Sequence, residues 1–226
     1  NVPGLQEAGF LTSESLFGDK FPKQPYKSLA ILGAGPIGVE FAHVFASAGT
    51  NVTILQHNVR LVPKEDADMS EHLLNNYRER GINVILNQDT VEIRQEEGLK
   101  VVVTKDRTTG EVTETKVEEI LVAAGIRPAV EELHLENTGI ETWSKGWIKT
   151  NEFLETSVEG IYALGDVNGE PAFRHRANYE ADIIAHNLFY ATSEEDYRWA
   201  RYDTLPKVTF SYPEIGSVGL TEAEAI

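Results

Sequence analysis

The 226 residues allow one large domain or two small ones, and 41 % hydrophobic with 25 % charged residues is the make-up of a soluble globular protein. With 20 basic against 36 acidic residues the formal charge is −16, which speaks against nucleic acid and against an anionic membrane surface as partners. No run approaches the roughly 18 apolar residues of a membrane span, and the lack of cysteine excludes a disulfide scaffold, a thiolate metal site or a thiol nucleophile within the chain. No stretch has the pattern of a signal peptide. The one methionine, Met69, is internal, so the chain is expected to be a piece of something longer, opening at Asn1 in a loop-like Asn–Val–Pro–Gly.

Residues 1–27 carry Pro3, Gly4, Gly9, Gly18, Pro22 and Pro25 and predict a linker or surface segment with one helical turn over Ser13–Phe17. Leu29–Leu32 is a short apolar run that predicts a buried strand. It leads into Gly33, Gly35 and Gly38, spaced Gly-x-Gly-x-x-Gly, and then into a helix with Ile37, Phe41, Phe45 and Ala48 on one face. That strand–turn–helix context is the one a dinucleotide fingerprint requires. Gly33 permits the tight turn, Gly35 lets a pyrophosphate approach the backbone, and Gly38 lets helix and strand pack closely. The phosphates would meet free N–H groups, with Pro36 and Ile37 beside them, and the positive end of a helix.

Asn51–Gln56 predicts a second strand, Ala67–Arg80 a helix with Met69, Leu73 and Tyr77 on one face, and Ile82–Leu86 a third strand. This β-α-β-α-β order is one mononucleotide-binding half of a doubly wound α/β sheet. The period then changes to two over Val91–Arg94, Lys100–Thr104 and Val112–Thr115, with turns at Glu97–Gly98 and Thr109–Gly110. An antiparallel meander covering one sheet face fits, and no chemistry is assigned to it. Ile120–Ala124 returns as a buried strand. Beyond a looser region, Ile161–Asp166 predicts a strand stopping at Gly–Asp, and Ala177–Tyr190 a long helix. Ser193–Asp196 is a charged loop, Val208–Phe210 and Ser217–Leu220 are strand-like, and Thr221 with Glu224 marks a helix start.

Four ordered stretches resemble the FAD-dependent pyridine nucleotide–disulfide oxidoreductases. They are Gly33–Glu40, Ala123–Pro128, Ile161–Val167 and Val208–Gly219. These are similar to the family's internal NAD(P) loop, its junction after that domain, its second flavin motif and its entry to the dimerisation domain. The resemblance implies a Rossmann-like NAD(P)-binding domain over 28–127, with parallel sheet and meander. It further implies a connector over 1–27, a returning part of the FAD domain over 128–202, and the start of a dimerisation domain over 203–226. The family's first FAD loop, its Cys-x4-Cys disulfide and its His–Glu pair are not in this chain, so no catalytic and no metal-binding residue is assigned. Members of the family pass hydride from NAD(P)H to FAD and on to a disulfide substrate as homodimers, and a cytoplasmic location is expected. Retention of FAD by this chain alone is not expected.

Particular residues follow from these two lines of reading. Glu40, in the first turns of the fingerprint helix, matches a glutamate near flavin and nicotinamide in the family. Gln56 stands where an NAD enzyme places its ribose-binding acid. Gln56 can bond a hydroxyl without repelling a 2′-phosphate, and His57 and Arg60 could supply positive character, so the choice of NADH or NADPH stays open. Gly125 and Arg127 end a strand on the binding side. Gly165 and Asp166 match the flavin motif, where the family's aspartate bonds FAD hydroxyls. Phe173–Glu180, containing His175, is similar to the stretch after Gly–Asp in lipoamide and mycothione reductases, which inclines the reading towards dihydrolipoamide dehydrogenase. Mercuric and low-molecular-weight disulfide reductases, or a non-catalytic nucleotide module, are the alternatives.

Overall fold

A computed structural model describes residues 2–18, 20–169 and 171–226. The chain divides into two compact units, residues 1–125 with 208–226, and residues 126–207. Elements are numbered in chain order.

The first unit opens with two short helices, α1 (Leu5–Ala8) and α2 (Ser13–Phe17). Its centre is a parallel sheet of β1 (Ser28–Leu32), β2 (Asn51–Leu55), β3 (Asn83–Ile85) and β7 (Glu119–Val122), in the order β3-β2-β1-β7. Between them run α3 (Pro36–Ser47) and α4 (Ala67–Glu79). Strand side chains alternate between faces. Leu29, Ile31, Val52, Ile54 and Leu121 therefore pack in one core with Val39, Ala42 and Phe45 of α3 and Leu73 and Tyr77 of α4. Ala30, Leu32, Leu55 and Ile120 turn the other way, onto Ile93, Val102 and Val117. Those three belong to the antiparallel sheet of β4 (Gln88–Glu96), β5 (Leu99–Asp106) and β6 (Val112–Val117). This is the expected parallel sheet with a meander over one face. A register shift between Thr90 and Glu92 makes Val91 a bulge, which breaks the strict alternation.

The stretch expected as a connector over 1–27 packs instead of merely linking. Ala8, Leu11 and Leu16 are buried. Leu11 forms a parallel bridge beside β7, donating its N–H to Ile120 O and accepting from Val122 N–H, both at 2.8 Å. Its glycines and prolines mark turns between these anchors. Asn1 lies outside the described residues.

In the second unit Trp143 and Trp147 flank a turn, and α5 (Arg174–Phe189) is the main helix. The strand expected over Ile161–Asp166 is corrected to a single bridge, Glu155 to Tyr162, because no described strand lies alongside it. Gly165–Asn168 closes into a 3-10 turn. The helix starts at Arg174, ahead of the expected Ala177. Phe173 occupies the N-cap with extended backbone and offers no side-chain cap, so no capping signal announces the start.

Residues 208–226 return to the first unit with β8 (Lys207–Thr209), β9 (Ile215–Ser217) and α6 (Glu222–Ala225). The Thr221 and Glu224 capping box forms as expected.

Candidate nucleotide site

Parallel register carries the ends of three strands to one edge, since Leu32 lies opposite both Leu55 and Val122. The residues just beyond, Gly33–Gly38, Gln56 and Gly125, gather there. Gly33 has φ +104°, and a Cβ on it would fall 2.5 Å from Ala123 O. A Cβ on Gly38 would fall 2.1 Å from Gly33 O. Both are glycine because the protein itself leaves no room. Gly35 differs: nothing lies within 4 Å of where its Cβ would stand. It is the N-cap of α3, with no side chain bonding back onto the helix, and Pro36 follows at the first helical position. Among the described residues no acceptor meets the N–H groups of Gly35, Ile37 or Gly38. Unbonded donors at a helix N-terminus, open space at the intervening glycine and the helix dipole together make an anion cradle.

The loop is held from below. Gly33 N–H bonds Leu55 O at 2.9 Å, and Val62 N–H bonds Ala34 O at 2.8 Å. Gln56 is buried, and its Oε1 accepts from Ala34 N–H at 3.1 Å while its Nε2 donates to Arg60 O at 3.2 Å. The amide of Gln56, the residue read as facing the ribose, braces the glycine loop in this structure. Val62 takes φ +36°, an unusual conformation for a β-branched residue, to make its bond to the loop. Neither brace was visible as such in sequence. Tyr77 adds another, donating its hydroxyl to Val39 O of α3 at 2.6 Å.

His57 is exposed and its Nδ1 lies 2.7 Å from Asp89 Oδ1. Arg60 turns away, donating to Pro63 O at 2.9 Å. Glu40, half-buried one turn into α3, accepts from Phe210 N–H at 2.8 Å. Burial raises its carboxyl above the usual range, with the Phe210 N–H acting in the opposite sense. Gly125, at φ +119°, and Arg127 are both exposed.

The flavin-motif residues lie in the second unit. Gly165 has φ +72° and is buried. Its N–H donates to Glu180 Oε2 at 2.6 Å. Glu180 is fully buried, and its Oε1 also accepts from Arg176 Nε at 2.8 Å and from the Tyr202 hydroxyl at 2.5 Å. Burial first, and the Glu180 carboxylate next, push the Tyr202 hydroxyl up to about 12. Arg176 in turn donates to Asn168 Oδ1, Gly169 O and Pro171 O. Asp166 sits exposed on the turn this network fixes, with no partner for its carboxylate among the described residues. Phe173 stacks on His175 at 5.2 Å, and His175 Nε2 donates to Pro206 O at 2.7 Å. The i,i+4 spacing of Arg176 and Glu180 was the only sequence signal for the network.

A family model described as pyridine nucleotide-disulphide oxidoreductase matches residues 1–181. The chain belongs to that family. Among pyridine nucleotide–disulphide oxidoreductases, the mercuric reductase of Staphylococcus aureus is 36 % identical over 225 residues, covering 99 % of this chain and 39 % of that protein. The dihydrolipoyl dehydrogenase of Mycobacterium tuberculosis is 35 % identical over 226 residues, covering 99 % of this chain and 47 % of the relative. A solved Cu(II) complex of the HOCl-induced flavoprotein disulfide reductase RclA from Escherichia coli superposes with a TM-score of 0.86 at 32 % identity. It covers 99 % of this chain and 48 % of that one. The chain thus spans less than half the length of each of these relatives.

Proposed function

We propose that the glycine loop of the first unit holds the diphosphate of NAD(P)H, and that the complete protein passes its hydride to FAD and then electrons to a disulfide. The observation carrying this is the contrast among the three glycines: two are required by protein packing, and Gly35 alone is left open, beside unbonded N–H groups. The nicotinamide and flavin supply the redox chemistry, and this chain's share is binding and orientation. Ile37 and Gly38 N–H would bond phosphate oxygens, Gly125 would leave the strand ends uncovered, and the free carboxylate of Asp166 would accept flavin hydroxyls. The boundaries 28–127, 128–202 and 203–226 are proposed as nucleotide, flavin-returning and interface segments.

Dihydrolipoamide is the substrate we favour for the complete protein, as a homodimer, on the Phe173–Glu180 segment. In the complete protein NADH-dependent reduction of lipoamide should exceed mercuric-ion-dependent oxidation of NADPH; the reverse order assigns it to the mercuric reductases. The chain by itself has no cysteine. That favours a second reading for the isolated chain, a nucleotide-binding module without turnover. Lipoamide or dye reduction by the isolated chain would contradict it.

A further inference from the structure

The meander, given no chemistry by sequence, delivers charged groups to the nucleotide edge. The chain entering β4 is stitched to the loop after β2, with Gln88 N–H bonding Gln56 O at 2.9 Å and Asn87 N–H bonding Asn58 O at 3.0 Å, and the turn between β5 and β6 joins it through Arg107 N–H to Asn87 O at 3.0 Å. These bonds bring Asp89 of β4 and Arg107 against His57, directly after the strand end where a nucleotide's adenosine ribose is read. Asp89 Oδ1 takes His57 Nδ1 at 2.7 Å and lies 3.7 Å from Arg107 Nε. Arg107 also donates to His57 O at 3.4 Å. Asp89 Oδ2 has no protein partner among the described residues, nor has the ammonium of Lys105. Asp89, Lys105, Arg107 and Thr108 line one open cleft of about 690 Å³. The other acid there, Asp106, is committed to the N–H groups of Thr109 and Thr108 and to Gln88 Nε2, and these bonds hold its carboxyl below the usual range.

The edge therefore presents a free carboxylate oxygen and a guanidinium together, while Gln56 is turned inward. A carboxylate accepts from a ribose 2′-hydroxyl and repels a 2′-phosphate; a guanidinium attracts the phosphate. We propose that Asp89 and Arg107 set the choice between NADH and NADPH in opposite directions, Asp89 favouring the 2′-hydroxyl and Arg107 the 2′-phosphate. This rests on the assignment of the glycine loop to NAD(P)H. The pair lies outside the β-α-β unit that carries the fingerprint, which is why motif reading passes over it.

The test is calorimetric titration of the full chain and of Asp89→Asn and Arg107→Ala with NADH and with NADPH. The side chains of Arg107 and Asp89 are 40 % and 50 % exposed and belong to no core, so thermal melting should show all three folded alike. Asp89→Asn should move the NADPH-to-NADH affinity ratio up by about tenfold and Arg107→Ala should move it down by about tenfold, the scale of one charge-assisted hydrogen bond. Opposed shifts cannot come from general loosening, which would weaken both nucleotides together. Binding of both nucleotides with unchanged or same-direction ratios would overturn the selectivity role and leave the glycine-loop reading standing. Binding of neither nucleotide by the unmodified chain would overturn both.

Discussion

A Cβ at Gly35 would stand in open space, and one at Gly38 would collide with the Gly33 carbonyl. Substitution at the two sites should therefore fail in different ways. Gly38→Ala should cost about 1–3 kcal/mol of stability through overpacking, read as a lower urea midpoint or faster hydrogen exchange in β1. No loss would mean that the helix slides to accept the methyl. Glu40 offers a pH test. Its folded carboxyl is raised above 4.5 by burial, so protonation favours folding. That contribution is complete below the unfolded value and is lost as pH rises through the folded one. Glu40→Gln keeps the oxygen that accepts from Phe210 and removes the charge. It should raise the melting temperature at neutral pH and flatten its decline above the carboxylate range. Parallel profiles for variant and parent would contradict this.

At the scale of elements, the Arg176–Glu180 pair ties α5 to the Gly165–Asn168 turn. Arg176→Met would strand a fully buried carboxylate, a loss of about 3–5 kcal/mol. All 3 tryptophans, Trp143, Trp147 and Trp199, lie in residues 126–207, so their fluorescence reports unfolding of this unit. A loss below about 1 kcal/mol would show that Tyr202 and Gly165 N–H suffice to hold Glu180. The parallel sheet, its two helices and the meander were legible because burial on one face imposes a period on the residues. The glycine loop was legible because close approach of backbone atoms admits no other residue at Gly33 and Gly38. What escaped was set by tertiary contact. Gln56 carries no local sign that its amide will turn to Ala34. The bridge of Leu11 beside β7 depends on residues more than a hundred positions away. The early start of α5 is stabilised by Arg176 reaching the chain before it, where the sequence has only Phe173 at the cap. Similarly, the hairpin's contact with His57 follows from long-range pairing and has no motif.

For the whole molecule, surface composition governs behaviour in solution. Phe189 and Tyr190 at the end of α5 are 77 % and 73 % exposed, and Phe210 and Leu220 are 64 % and 72 % exposed. Apolar groups of this size favour association. Against them stands the formal charge of −16, which opposes it. Self-association should therefore be weak at low ionic strength and rise with salt, as screening removes the repulsion and leaves apolar contact. Light scattering across a salt series checks this, and a monomer at every salt and concentration would contradict it. No helix among the described residues is long and apolar enough to cross a membrane.

The central claim is that the open space at Gly35 is kept for a diphosphate. Gly35 has φ −72° and ψ −176°, extended backbone that valine also adopts, so Gly35→Val should fold, with its melting temperature lowered only by the poorer helix cap. Calorimetric titration with NADH should give one saturable heat for the unmodified chain and none for Gly35→Val. Equal heats for the two, or none for the unmodified chain, would contradict the account.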